Sequence, residues 1–242
     1  QGLLMSLAAY FVTVQFFQHR THWRGLQGVV ICLAVYNIVF MSQGRTGYVV
    51  LASLILLLMY QWQRWRGIWV GVVVLAILGS FAYLSSEVVK QRVDKVSTGL
   101  QDYQQGEPTS IPMRIGFLKN TLVLISQHPF FGAGTGSFAY QYQQLAEPQK
   151  MILTVNPHNE YLMIAAQWGL LGASLFIYLL YQLWHTSHSL SPPTAKMAQG
   201  LVVAMGIGCL FNSLLLDSTE GHLFAYLVGV FWGACVADEE KL

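Results

Sequence analysis

Arg45, Arg114 and His158 are the residues of this sequence best suited to chemistry. Arg45 stands in Gln43-Gly44-Arg45-Thr46-Gly47, a tight turn between two apolar runs. Its guanidinium offers a planar fork of donors that fits phosphate oxygens; the simpler account is an arginine snorkelling to a membrane interface. Arg114 lies in a stretch of helical periodicity, where a solvated charge is the ordinary reading. Together the two guanidiniums suit a diphosphate. His158 sits in Asn156-Pro157-His158-Asn159-Glu160, at the mouth of an apolar run. An imidazole accepts a proton near neutral pH and can act as a general base, with Asn159 or Glu160 to orient it. The alternative is an interface histidine bonded to a loop. Asp217-Ser218-Thr219-Glu220-Gly221-His222 gathers two carboxylates and a histidine, and is equally a turn in which Asp217 or Ser218 caps a helix.

Other polar clusters fit known chemistry less well. No calcium-loop or zincin spacing occurs, so no metal site is expected. His185 and His188 have a metal-like spacing but lie in a Ser/Pro linker. Gly132-Ala133-Gly134-Thr135-Gly136 is glycine-rich, but a phosphate loop of the Walker type needs Lys-Ser/Thr next, and Ser137-Phe138 follows. Cys32, Cys209 and Cys235 stand far apart in apolar runs, which argues against a disulfide framework.

The elements that must position these residues are membrane helices. Of 242 residues 54% are hydrophobic and 10% charged, and the mean hydropathy is +0.47. Soluble domains carry about 25% charged residues, and disorder requires low hydrophobicity, so neither class fits. The net charge of +2 is too even for nucleic-acid binding. Apolar runs predict seven spans: 2–18, 26–42, 46–60, 67–85, 159–184, 197–216 and 222–237. One membrane domain follows, divided as 1–85 (four spans), 86–158 (a long loop) and 159–242 (three spans). Gly67-x-x-x-Gly71 and Gly229-x-x-x-Gly233 predict close helix contacts. Neither inverted repeats nor mid-span charges of the kind transporters use stand out.

Arg20, Arg24, Arg64, Arg66, Lys196 and Lys241 fall in short segments on one side, against Arg45 alone on the other. The positive-inside rule makes the richer side cytoplasmic, and Trp23, Trp62, Trp65 and Trp184 stand at its boundary as an aromatic belt. Arg45, loop 86–158 and loop 217–221 then face outward. The long loop should hold a charged helix from Glu87 to Val96, polar loop from Gly99 to Pro108, and an amphipathic helix capped by Ser110 and ending before Pro129. Ile111, Ile115, Leu118, Leu122 and Ile125 form its expected apolar stripe, with Arg114, Lys119 and Thr121 falling away from it. Gln1 opens directly in an apolar run without a basic leader, so the chain is read as part of something longer.

The Arg45 turn, the arginine of the long loop, His128-Pro129-Phe130-Phe131-Gly132-x-Gly134, and Pro157-His158-Asn159-Glu160-Tyr161-Leu162 leading to Gly169-Leu170-Leu171-Gly172 together resemble the O-antigen ligase and polymerase superfamily across about residues 40–185. Leu216 to His222 is most similar to its lipopolysaccharide O-antigen ligase branch. The resemblance implies an all-α, polytopic, GT-C-like glycosyltransferase of the bacterial inner membrane with its active site facing the periplasm. Such an enzyme moves a glycan from undecaprenyl diphosphate to lipid A–core, among membrane lipids, with no nucleotide sugar, cofactor, metal or nucleic acid. It assigns diphosphate binding to Arg45 and Arg114, an essential role to His158 and a supporting role to Asp217, with Asn159 and Glu160 beside the histidine. Seven spans against about twelve in the family imply that an N-terminal half is missing. The alternatives are a Wzy-type polymerase or a protein O-oligosaccharyltransferase, and, more remotely, a glycan transporter or a non-catalytic scaffold.

Overall fold

Long apolar runs without proline, punctuated by glycine and short polar turns, should fold into helices, and the described residues form nine. A computed structural model describes residues 1–18, 22–42, 44–105, 110–148 and 151–239, with backbone alone for 96, 97, 100–105, 110 and 234–239. The helices are α1 (Gly2–Gln18), α2 (Arg24–Tyr36), α3 (Thr46–Ser85), α4 (Glu87–Gln105), α5 (Ser110–Gln127), α6 (Phe138–Ala146), α7 (Glu160–Ser187), α8 (Pro192–Gly208) and α9 (Ser218–Glu239). A π-helical turn, Asn37–Met41, prolongs α2. Among the described residues, three helices are long and apolar enough to cross a membrane: Arg24–Met41, α3 and α7. Arg20, Gln43, Pro108 and Lys241, all used in the sequence reading, lie outside the described residues.

The chain divides into two units: Gln1–Lys90 with Tyr181–Gly208 and Ser218–Leu242, and Gln91–Leu180 with Cys209–Asp217. In the first, α1 packs on α2, α3 and α8. Helix α3 is not straight. Gln63 and Arg64 leave helical geometry, Arg64 with φ 51°, and the chain reverses there. A Cβ on Gly67 would lie 1.8 Å from the Met59 carbonyl oxygen, and one on Gly71 3.0 Å from Leu56. The expected runs 46–60 and 67–85 are therefore the two arms of a hairpin, and the Gly67/Gly71 pair sits where they touch. Gly229 and Gly233, by contrast, have open space around them. Trp69, Ile77, Phe81 and Leu84 of the second arm are exposed, the pattern of a surface solvated by lipid rather than water.

In the second unit the core gathers Leu124 of α5, Phe138, Tyr142 and Ala146 of α6, and Met163 and Ala166 of α7, with Phe117 and Ile125 packed on it. This corrects the expected stripe of α5. Thr121 is fully buried and Leu122 is 55% exposed, so the buried face runs through Phe117, Thr121 and Leu124. Thr121 tolerates this because its hydroxyl donates to the Phe117 carbonyl at 2.6 Å. Arg114, one turn before Phe117, is exposed, as is Lys119. Helix α4 also continues to Gln105, through the stretch from Gly99 expected to be loop. Gly99 is accommodated because α5 comes close: a Cβ there would meet Ile111 Cδ1 at 2.6 Å.

Helix α8 ends at Gly208, and 209–217, expected as the end of the span 197–216, is a run of turns and bends. Its backbone groups are taken up by the start of α7. Helix α7 in turn breaks at Gly169 (φ 69°, ψ −169°). The broken turn frees carbonyls and amides that need partners. Ala133 donates to the Ala166 carbonyl (3.1 Å), Gly134 to Gln167 (2.9 Å), Leu170 to Pro129 (2.8 Å) and Leu171 to Phe130 (3.3 Å). The Gly136 amide bonds the Gln167 side chain, and Trp168 Nε1 donates to Thr135 Oγ1 at 2.8 Å. The glycine-rich segment thus clasps a helix break, and four of its amides, that of Gly132 donating to the His128 carbonyl, face protein oxygens rather than a phosphate.

Candidate active site

His158 occupies a backbone state that L-residues seldom adopt. Its φ is +56°, in the left-handed region where histidine, asparagine and aspartate are the usual non-glycine occupants. The preceding residues impose it. Thr154 Oγ1 donates to the Asn156 carbonyl (2.8 Å) and accepts from the Asn156 amide (3.1 Å). Asn156 Oδ1 accepts from the His158 amide at 2.7 Å, an Asx turn, and Pro157 is fully buried. Strain of this kind costs about 1–3 kcal/mol and persists only where the surroundings over-determine it.

The ring is fixed on two sides. Its plane lies 27° from that of Phe117, with centroids 6.1 Å apart. Its Nδ1 is 3.2 Å from Asn212 Oδ1. An amide oxygen has no proton to give, so Nδ1–H donates and the lone pair is left on Nε2. That is the tautomer a base requires. Arg114 stands one helical turn before Phe117, about 4.5 Å along the axis of α5, with an exposed side chain. The second unit thus brings the histidine together with the arginine-bearing helix.

Asn159 and Glu160 do a different job from the one expected of them. Asn159 is the N-cap of α7: its Oδ1 accepts from the Leu162 amide at 3.0 Å. Its Nδ2 donates to the Leu210 carbonyl at 3.0 Å. The Glu160 amide donates to the Cys209 carbonyl at 2.8 Å. The Glu160 carboxylate, 4% exposed, accepts from the Leu215 amide at 2.8 Å. These bonds strap segment 209–217 to the start of α7 and carry Asn212 to the imidazole. Glu160 also lines an apolar cavity of 430 Å³ with Met163, Trp168, Leu175, Phe176 and Leu216.

Asp217 ends this segment with an exposed side chain. Arg45 belongs to the first unit. It is half-buried and caps α3, and its turn is held by the neighbouring contacts. Gly47 meets Gly2, where a Cβ would lie 3.0 Å from the Gly2 Cα. Ser6 Oγ donates to the Gly47 carbonyl at 3.3 Å, and Tyr48 Oη to the Val39 carbonyl, in the π-helical turn, at 2.9 Å. Among the described residues no cluster of three potential metal ligands forms. Asn212 was missed by the sequence reading. Its signal was present: Asn212-Ser213 is a lone polar pair inside an apolar run, and intramembrane polar residues mark function by default.

A family model described as O-antigen ligase (Wzy_C) matches residues 28–177. A Haemophilus influenzae protein described only as uncharacterized is 21% identical over 235 residues, covering 92% of this chain and 58% of its own length. The chain therefore spans somewhat over half the length of that curated relative. The family match covers more than half the chain, so this protein belongs to the O-antigen ligase family. Its members are ligases or polymerases of O-antigen, and membership together with the apolar helices points to a bacterial membrane protein.

Proposed function

We propose that the protein is a lipopolysaccharide O-antigen ligase, transferring a glycan from undecaprenyl diphosphate to lipid A–core at the periplasmic face of the inner membrane. The seven-span topology with a periplasmic loop at 86–158 belongs to the same reading. The observation that carries it is the His158 ring, held by Asn212 in the tautomer of a base on a strained turn, beside the helix of Arg114. In the proposed step the acceptor hydroxyl oxygen attacks the anomeric carbon. His158 Nε2 takes the hydroxyl proton while the carbon–oxygen bond to the diphosphate breaks, and the undecaprenyl diphosphate leaves with the electron pair. Charge grows on the leaving oxygen, so a fixed guanidinium favours the transition state over the ground state. Arg114 has this role, and the apolar cavity beside Glu160 suits part of an isoprenoid tail. Arg45 is proposed to bind phosphate from its own unit, and Asp217 to support the acceptor side.

The test is reconstitution of the purified protein with undecaprenyl-diphosphate glycan and lipid A–core. Glycan-capped lipid A–core is the expected product. Lengthened carrier-linked glycan would indicate the polymerase instead, and a glycosylated protein acceptor an oligosaccharyltransferase. Arg45→Ala is expected to remove the product with protein levels intact.

Asn212 gives a sharper prediction about the histidine. Asn212→Leu removes the acceptor for Nδ1–H and should lower kcat about fivefold or more, the value of one neutral hydrogen bond. KM for the carrier should be little changed. Asn212→Asp, which keeps an acceptor oxygen, should retain activity. Equal losses in both variants would show that Asn212 serves packing alone.

A further inference from the structure

A second cavity, of 360 Å³, lies in the first unit, between α1, the first arm of α3 and the start of α8. It runs from buried Val14 to Phe17 and Trp62, 59% and 67% exposed, whose rings stack with centroids 5.9 Å apart. Gln61, which lines it, is already satisfied. Tyr10 Oη donates to Gln61 Oε1 (2.8 Å), and Gln61 Nε2 to Gln199 Oε1 (2.9 Å).

Two groups in its lining bear on what it holds. Gln18 Oε1 is shielded from solvent and accepts no hydrogen bond from the described residues, a costly state for a buried carbonyl. Lys196 is the only charged residue among the described lining. Asp and Glu are absent from 1–86 and from 161–216, the ranges to which every described lining residue belongs. The cavity therefore offers one ammonium that wants an anion and one carbonyl that wants a donor. Exposed Trp23, Trp62 and Trp65 ring the same end of the unit, as aromatic side chains do at the depth of lipid headgroups.

We propose that this cavity holds one anionic phospholipid whose headgroup carries a hydroxyl, phosphatidylglycerol being the simplest. Its phosphodiester sits on the Lys196 ammonium, and its headgroup hydroxyl donates to Gln18 Oε1. A zwitterionic headgroup fits less well, because its cation would lie beside the Lys196 ammonium. The volume lies at the lower end of small-ligand pockets, about 300–1,000 Å³. It takes the headgroup and leaves the acyl chains along the exposed apolar side chains outside.

The chain reconstituted in phosphatidylcholine nanodiscs doped with phosphatidylglycerol, then examined by native mass spectrometry, should retain one phosphatidylglycerol above its bulk fraction. Lys196→Gln should weaken retention about fivefold, and Lys196→Arg should preserve it. Gln18→Leu should erase the preference for phosphatidylglycerol over phosphatidylmethanol, which has the same charge and no headgroup hydroxyl. Arg66→Gln, on the exposed turn outside the cavity, should change nothing. The proposal is overturned if phosphatidylglycerol is held no better than phosphatidylcholine, if Lys196→Gln retains it fully, or if Arg66→Gln weakens it as much as Lys196→Gln does. None of these readouts depends on glycan transfer.

Discussion

His158→Asn is expected to lower glycan transfer about 10²–10⁴-fold, the usual contribution of a positioned general base. Asparagine is the informative replacement. Position 158 has φ +56°, and asparagine tolerates that region while alanine does not. The Asx turn and the clasp between α7 and segment 209–217 depend on backbone atoms and on the side chains of Asn156, Asn159 and Glu160, so they survive the change. What is lost is a nitrogen that takes a proton. The loss should fall on kcat, with KM for the lipid carrier nearly unchanged, because the base acts only as the hydroxyl is deprotonated. Arg114→Ala should behave alike for another reason. Removing a donor aimed at developing charge costs about 10²–10³-fold, and Arg114→Lys should recover part of it through charge without the planar fork. Wild-type product from His158→Asn would end the case for a histidine base while leaving membership of the family untouched.

How much of this was legible in the sequence follows from where the signals came from. Hydropathy located α1, α2 and the arms of α3, since spans are read from length and composition alone. The hairpin's contact was legible too, because Gly67 and Gly71 are spaced for close approach. Local chemistry placed the end of α5 before Pro129 and set His158 apart. The misreadings were about direction. Counting isoleucines and leucines along α5 turned its stripe toward Leu122, because Thr121, polar in a sequence, is apolar enough once its hydroxyl bonds the Phe117 carbonyl. Residues 209–216 read as membrane helix for the same reason: hydropathy records apolar side chains and is blind to who satisfies the backbone. Irregular backbone in an apolar setting survives where protein groups replace the missing helical bonds, here Asn159 and Glu160. Their partners lie about fifty residues away, and no local pattern encodes that pairing.

Gly169→Ala should prevent the second unit from folding. Its φ of 69° with ψ of −169° belongs to a region that is essentially glycine's alone, and an L-residue there costs about 1–3 kcal/mol. The larger obstacle is contact. A Cβ at Gly169 would lie 2.2 Å from the Phe130 carbonyl oxygen and 2.5 Å from the Phe131 amide nitrogen. Both are backbone atoms, so no rotamer change relieves the clash. The segment would have to withdraw from the break in α7, abandoning four backbone hydrogen bonds worth about 1 kcal/mol each. The sum, about 5 kcal/mol or more, rivals the whole stability of a typical domain. Gly116→Ala on α5, where φ is ordinary and a Cβ meets nothing within 4 Å, should be neutral or stabilise by about 1 kcal/mol. Gly134→Ala separates the two terms: its φ is +105° but its surroundings are open, so strain acts there without the clash and the protein should fold with a lowered Tm. Thermal unfolding of the purified variants in detergent ranks them. A Gly169→Ala protein as stable as Gly134→Ala would mean that the clasp between residues 129–136 and α7 does not hold the unit together.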